Sequence, residues 1–164
     1  MTPYEMVFDS FLDLIIRDDT FFVKNPDANL VNTMAEQRLL KLMKHALTNL
    51  MMVRDNKNFE INFMKICDDI SWQFTEDLNA MEVDLIAYFM WQVYIDEEYT
   101  YRFRELRRLG FTDKDINQFS PANSITQFNK AVYSLKQENI NRVKAYKSRR
   151  RDDFTFKRFN FDFE

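Results

Sequence analysis

NAMEVDLIAYFMWQVYIDEE, residues 79 to 98, is the most apolar stretch of the chain. Met81, Leu85, Ile86, Phe89, Met90, Val93 and Tyr94 cover more than one face of a helix. A helix apolar most of the way round belongs at the centre of a fold. Asn79 is placed to cap it, with Glu82 three residues later to complete a capping box. The following YTYRFRELRRLG continues the helical pattern and stops at Gly110, a residue suited to a helix C-terminus.

Outward from this helix, glycine is the telling count. Gly110 is the only one in 164 residues, beside three prolines. Glycine-rich phosphate loops are therefore absent, and with them dinucleotide-fold and P-loop chemistry. The same scarcity argues against a many-stranded barrel with tight turns. The expected fold class is mainly α: a small helical bundle with one long C-terminal helix, a short β-hairpin near 59–76 and an extended C-terminal arm. A length of 164 residues and an apolar content of 46% suit one domain with a real core. The body is expected over 1–150 and the arm over 151–164.

Along the chain, TPYE (2–5) reads as a helix start, with Thr2 capping, Pro3 at the first helical position and Glu5 reaching back. Tyr4, Phe8, Phe11, Leu12, Ile15 and Ile16 follow at helical spacing. RDDTFFVKNPDAN breaks the pattern, and Pro26 ends any helix before it. Thr33 can cap a second helix carrying Leu39, Leu40, Met43, Ala46, Leu47, Leu50 and Met51. In FEINFMKICDDISWQF (59–74), Phe59, Ile61 and Phe63 alternate, as do Trp72 and Phe74; this predicts a hairpin, with helix as the competitor. Ser120 and Pro121 open a last helix reaching about residue 150. At the helical rise it spans about 45 Å, more than the width of a compact domain this small, so its far end is expected to project.

The charge is split. Residues 1–141 hold 15 basic and 22 acidic side chains, a net −7; residues 142–164 hold 8 and 4, a net +4. The basic end runs through Arg142, Lys144, Lys147, Arg149, Arg150 and Arg151. It can grip nucleic acid, grip an acidic protein surface, or be a solvated helix end favoured by the dipole. SRRRDDFTFKRFNFDFE (148–164) then adds Phe154, Phe156, Phe159, Phe161 and Phe163. Phe154 and Phe156 share one face of an extended chain, and Phe159, Phe161 and Phe163 share another after a slip at Lys157–Arg158. This is strand patterning. The segment can fold back on its own body or lie on another subunit as an added strand. A projecting helix favours the second, which makes Arg149, Arg150, Arg151 and the five phenylalanines candidate partner-binding residues. A nucleic-acid arm would more often be basic throughout, and Asp162 and Glu164 fit base stacking poorly. A helical nucleic-acid-binding or regulatory protein using the basic 142–158 segment remains the alternative.

Catalytic patterning is missing. His45 is the one histidine and Cys67 the one cysteine, too few for a Cys/His zinc site or a disulfide framework. His45 is expected to pack or face water. The acidic doublets Asp18–Asp19, Asp68–Asp69 and Asp152–Asp153 read first as solvated surface, since neighbours on a helix do not share a face, with pairing to a neighbouring subunit's arginines as the next reading and a metal site after it. No enzyme activity, metal or other cofactor is expected. No apolar run is long enough to cross a membrane, and the opening residues lack a secretory pattern. Arg104, Arg107 and Arg108 directly follow Asp96, Glu97 and Glu98; this layout suits head-to-tail contact between copies in a ring.

MTPYEMVFDSFLDLI, VDLIAYFMWQVYIDEE and FSPANSITQFNKAVYSLKQENINRVKAY, in this order, resemble small proteins encoded beside the portal and capsid genes of tailed bacteriophages. The F-S-x-A-N start at 119–123 is the most specific part. Proteins of this family are similar in kind: head–tail connectors, also called adaptors or head-completion proteins. The resemblance implies a mostly helical structural virion protein. It also implies a homo-oligomeric ring of about a dozen copies beneath the portal protein, held by chain ends and touching other neck and tail proteins. Its place would be the virion neck between capsid and tail, after assembly in the host cytoplasm. Genome DNA would pass through the channel without sequence-specific binding, along an acidic wall.

Overall fold

The computed structural model describes residues 1–15, 28–53, 61–108, 125–149, 151 and 155, with side chains left aside at 28–34, 98–108, 125–129 and 131. Four helices pack together: α1 (Tyr4–Leu14), α2 (Ala28–Met52), α3 (Ala80–Arg108) and α4 (Ile125–Lys147). Three two-residue strands, β1 (Thr2–Pro3), β2 (Cys67–Asp68) and β3 (Gln73–Phe74), form an antiparallel sheet in the order β1-β3-β2. The expected mainly α class, with its short hairpin, is the fold observed.

α3 packs against each of the other helices. Its residues Ile86, Ala87 and Met90 are wholly buried, and Val83, Leu85, Phe89, Val93 and Tyr94 nearly so. Tyr4, Val7 and Phe11 of α1 and Leu42, Met43, Ala46, Leu47 and Leu50 of α2 join them in one core. Each such large side chain contributes roughly 1.5–3 kcal/mol by leaving water. Phe11 meets Tyr94 edge-on at 6.1 Å, which ties α1 to α3.

The start of α1 differs from expectation. Thr2 and Pro3 are a strand paired with Phe74 and Gln73, Pro3 takes the N-cap position, and no side chain caps the helix. Tertiary pairing displaces the local capping box: Thr2 Oγ1 accepts the Leu78 amide at 2.7 Å, and the Tyr4 amide donates to the Trp72 carbonyl at 2.9 Å. α2 begins at Ala28, soon after Pro26, so Thr33 lies inside the helix instead of capping it.

The hairpin turns between Asp68 and Gln73. Asp68 Oδ1 accepts the amides of Ile70 and Ser71 at 3.1 and 3.3 Å, the usual way an aspartate shapes a turn. Trp72 has φ 52°, in the left-handed region. This costs roughly 1–2 kcal/mol for a residue with a side chain. The ring lies 6.5 Å from both Tyr4 and Phe8. Two such contacts at about 0.5–1.5 kcal/mol each, plus the hydrogen bond at its carbonyl, offset the strain.

α4 does not run past the body. Leu135, Asn139, Val143 and Tyr146 are buried at 4-4-3 spacing, so one face stays on α3 to the helix end. α3 has 29 residues and is about 43 Å long at the helical rise. It therefore gives α4 a companion of matching length, which a compact sphere would not. Within the stripe Asn139 is wholly buried. Its Nδ2 donates to Gln92 Oε1 at 2.9 Å and to the Tyr88 carbonyl at 3.2 Å.

Candidate partner-binding surface

Among the described residues, the densest buried polar grouping sits where α3 begins. Asn79 and Glu82 form the expected capping box: the Glu82 amide donates to Asn79 Oδ1 and the Asn79 amide to Glu82 Oε2, both at 2.9 Å. The box satisfies two amide donors that the helix start leaves open. It also holds a carboxylate with no exposed surface, and a buried charge needs a counter-charge. Tyr146 of α4 donates to Glu82 Oε1 at 2.6 Å. Arg151 donates to the same oxygen through Nε at 2.8 Å. A second guanidinium nitrogen of Arg151 reaches the Asp77 carbonyl, and a third lies 3.8 Å from Glu76. Burial works against the charge on Arg151, but the Glu82 hydrogen bond and charge outweigh it, so its pKa is raised further.

Arg151, expected to bind a partner, closes a charge site in its own body. The physical reason is that Glu82 stands on the most buried stripe of α3, in line with Ile86 and Met90. A carboxylate there draws in the first arginine that can reach it. Arg142 is likewise occupied: its guanidinium lies 3.6 Å over the Tyr88 ring, a cation–π contact.

The other predicted residues divide. Arg149 is half-buried. Arg150, Phe154, Phe156, Phe159, Phe161 and Phe163 lie outside the described residues. Arg104, Arg107 and Arg108 fall on the last turns of α3 and Glu98 just before them, with their side chains outside the description. Asp96 pairs with Lys136 of α4 at 2.9 Å, and Glu97 Oε1 lies 3.1 Å from His45 Nδ1. These two carboxylates, read as contacts between copies, therefore brace α3 against α4 and α2 within one chain. Both remain partly exposed, so the pairs contribute little to stability. The five aromatic positions are not brought together with the arginine cluster by anything described.

A second polar cluster joins the sheet to α2. Lys44 pairs with Asp69, and the Tyr4 hydroxyl donates to Asp69 at 3.3 Å. Cys67 donates its thiol hydrogen to the Phe63 carbonyl at 3.2 Å. Burial first, then the nearby Cys67 and Asp69, push the Tyr4 phenol well above its usual pKa. Burial also raises the Cys67 thiol against a lowering hydrogen bond with Tyr4. Raised values make this thiol a poor nucleophile.

Both groups are neutral in the fold and resist ionising there. Their contribution is complete below the ordinary cysteine value of 9.0 and is lost as pH rises through the folded values. The melting temperature should therefore fall as pH rises above about 9, and more steeply above about 10, where tyrosine also ionises in the unfolded chain. Tyr4→Phe should flatten the part of the fall above about pH 10 in thermal melts followed by circular dichroism. An unchanged slope in the variant would show that Tyr4 is not responsible.

What the sequence reading missed was the second role of Glu82. The signal was present: one carboxylate at an inward position of the most apolar helix. Among the described residues no cluster of histidine, cysteine and carboxylates could hold a metal ion, and no helix is long and apolar enough to cross a membrane. Compared with known protein families, curated proteins and solved structures, the chain matches none.

Proposed function

We propose that the chain is a structural virion protein, a head–tail connector that forms a ring on the portal protein and joins the capsid to the tail. The observation that carries the reading is the Arg151 anchor. Its bonds to Glu82 and the Asp77 carbonyl fix to the body the residue that directly precedes the Phe-rich stretch 152–164 in the sequence. Five phenylalanines in strand-like alternation then start from a defined place, as an arm that grips a neighbouring subunit or the portal requires. The resemblance of 1–15, 83–98 and 119–146 to tailed-phage connectors supports the same reading, in which the protein would sit in the virion neck. DNA would pass through the ring unread.

The nucleic-acid alternative is weakened by the use of its own cations. Arg142 covers Tyr88 and Arg151 neutralises Glu82, so neither is a spare phosphate ligand.

The test is the mass of the species formed with a purified portal protein. The full chain should load as a ring of about a dozen copies. A chain shortened to end at residue 153, which keeps Arg151, should fold normally and fail to load. No complex with the full chain, or equal loading of the shortened one, overturns the proposal. Steeply salt-dependent DNA binding would favour the alternative.

A further inference from the structure

We infer that α4 is a releasable strap: over residues 132–147 it parts from α3 as a unit while α1, α2 and α3 stay folded. The inference is independent of the connector reading.

The two sides of α3 are held differently. α1 and α2 share a core with it through Val7, Phe11, Met43, Leu47 and Leu50, all apolar and wholly buried. Among the described residues α4 brings Val143 and Tyr146 into that core, while Leu135, though buried, is not part of it. Polar pairs stand instead at four levels of the α3–α4 seam. The Tyr146 hydroxyl donates to Glu82, Arg142 lies over Tyr88, Asn139 donates to Gln92 and Lys136 pairs with Asp96. When an interface opens, polar groups exchange their partners for water, whereas apolar groups lose their stabilisation outright. The α4 seam is therefore the one that parts at least cost.

Two buried groups work against closure. Asn139 has no exposed surface, yet its Oδ1 accepts no hydrogen bond from the described groups. A dry acceptor without a donor favours the state in which water reaches it. Glu82 is a carboxylate with no exposed surface, and the attraction within a buried ion pair does little more than offset the hydration its members gave up. Removing Arg151 alone leaves Glu82 dry and unpaired; parting the whole seam returns both to water. Closure is favoured by Leu85 and Phe89, which are 3% and 2% exposed. They stand three or four positions from Glu82, Tyr88 and Gln92, and so on the same face of α3. An open strap uncovers this apolar pair.

Native-state hydrogen exchange of the full chain in low urea tests the inference. A helix away from its body keeps little stability of its own, so the α4 amides report the opening. Those of Leu135, Asn139 and Val143 should exchange together, about tenfold or more faster than those of Met43 and Ile86. They should also depend less on urea, because a partial opening exposes less surface than unfolding. Leu47→Ala weakens the core and should speed Met43 and Ile86 by about thirtyfold or more, with the α4 amides unchanged. Asn139→Leu with Gln92→Leu puts an apolar pair in place of the polar one and removes the unpaired acceptor; it should slow the α4 amides by about tenfold. Exchange of α4 in step with Met43 in the parent chain overturns the inference, and this comparison needs no variant. So does a Leu47→Ala chain in which both groups speed up alike, or a folded double variant whose α4 exchange is unaltered.

Discussion

Arg151→Ala should destabilise the protein by about 3 kcal/mol, the lower part of the range for breaking a buried ion pair. Glu82 has no exposed surface. With Arg151 removed it keeps the Asn79 amide and the Tyr146 hydroxyl but loses its bonded cation. The cost is that of a buried charge left without its partner, not of a lost surface contact. Arg151 is itself 25% exposed, and water reaching the site moderates the loss; hence the lower figure. Urea unfolding of the full chain measures it. Glu82→Gln removes the charge and keeps the shape, so Arg151→Ala should cost much less on that background. A chain ending at residue 150 should behave like Arg151→Ala, and one ending at 153 like the parent. A change in Arg151→Ala below about 0.5 kcal/mol would mean that the pair seen here contributes nothing.

Phe74→Ala should cost about 3–5 kcal/mol, as expected for emptying a closed aromatic site. Phe74 is wholly buried and stands in the central strand, opposite Thr2 on one side and Cys67 on the other. Its ring meets Tyr4 edge-on at 4.8 Å. The strands have two residues each, too few for backbone bonds alone to hold a sheet, so Phe74 is what seats the sheet on α1. The variant should also lose the shape of the hairpin tip. Urea unfolding gives the stability, and the amide exchange of Tyr4 and Thr75, bonded to Trp72 and Ile66, reports the sheet. Faster exchange at these amides with the helices still protected is the expected pattern. A loss below about 1 kcal/mol would show that the sheet is seated some other way.

Much of the helical frame was legible in the sequence because its signals are local. The apolar circumference of 81–94 marks α3 as central, and Asn79 with Glu82 marks its start. The limits lie where distant residues decide. Thr2 and Pro3 carry a sound helix-start pattern, yet they pair with Phe74 and Gln73 across some seventy positions. The basic run at 142–151 is plain as composition. Its destination was not, because Arg151 answers a carboxylate 69 positions earlier that reads locally as a cap. The projecting helix end failed for a related reason: its expected excess length was judged against a sphere, while α3 is long enough to carry it. The strand-like phenylalanine pattern is readable in the sequence alone.

The segment 72–82 holds both extremities of the described body. Tyr4 is bonded to Trp72, Thr2 to Leu78, and Arg151 to Asp77 and Glu82. A pull applied between residue 2 and residue 151 therefore bears directly on this short span. Tension between these two residues would load a strand and two hydrogen-bonded clips.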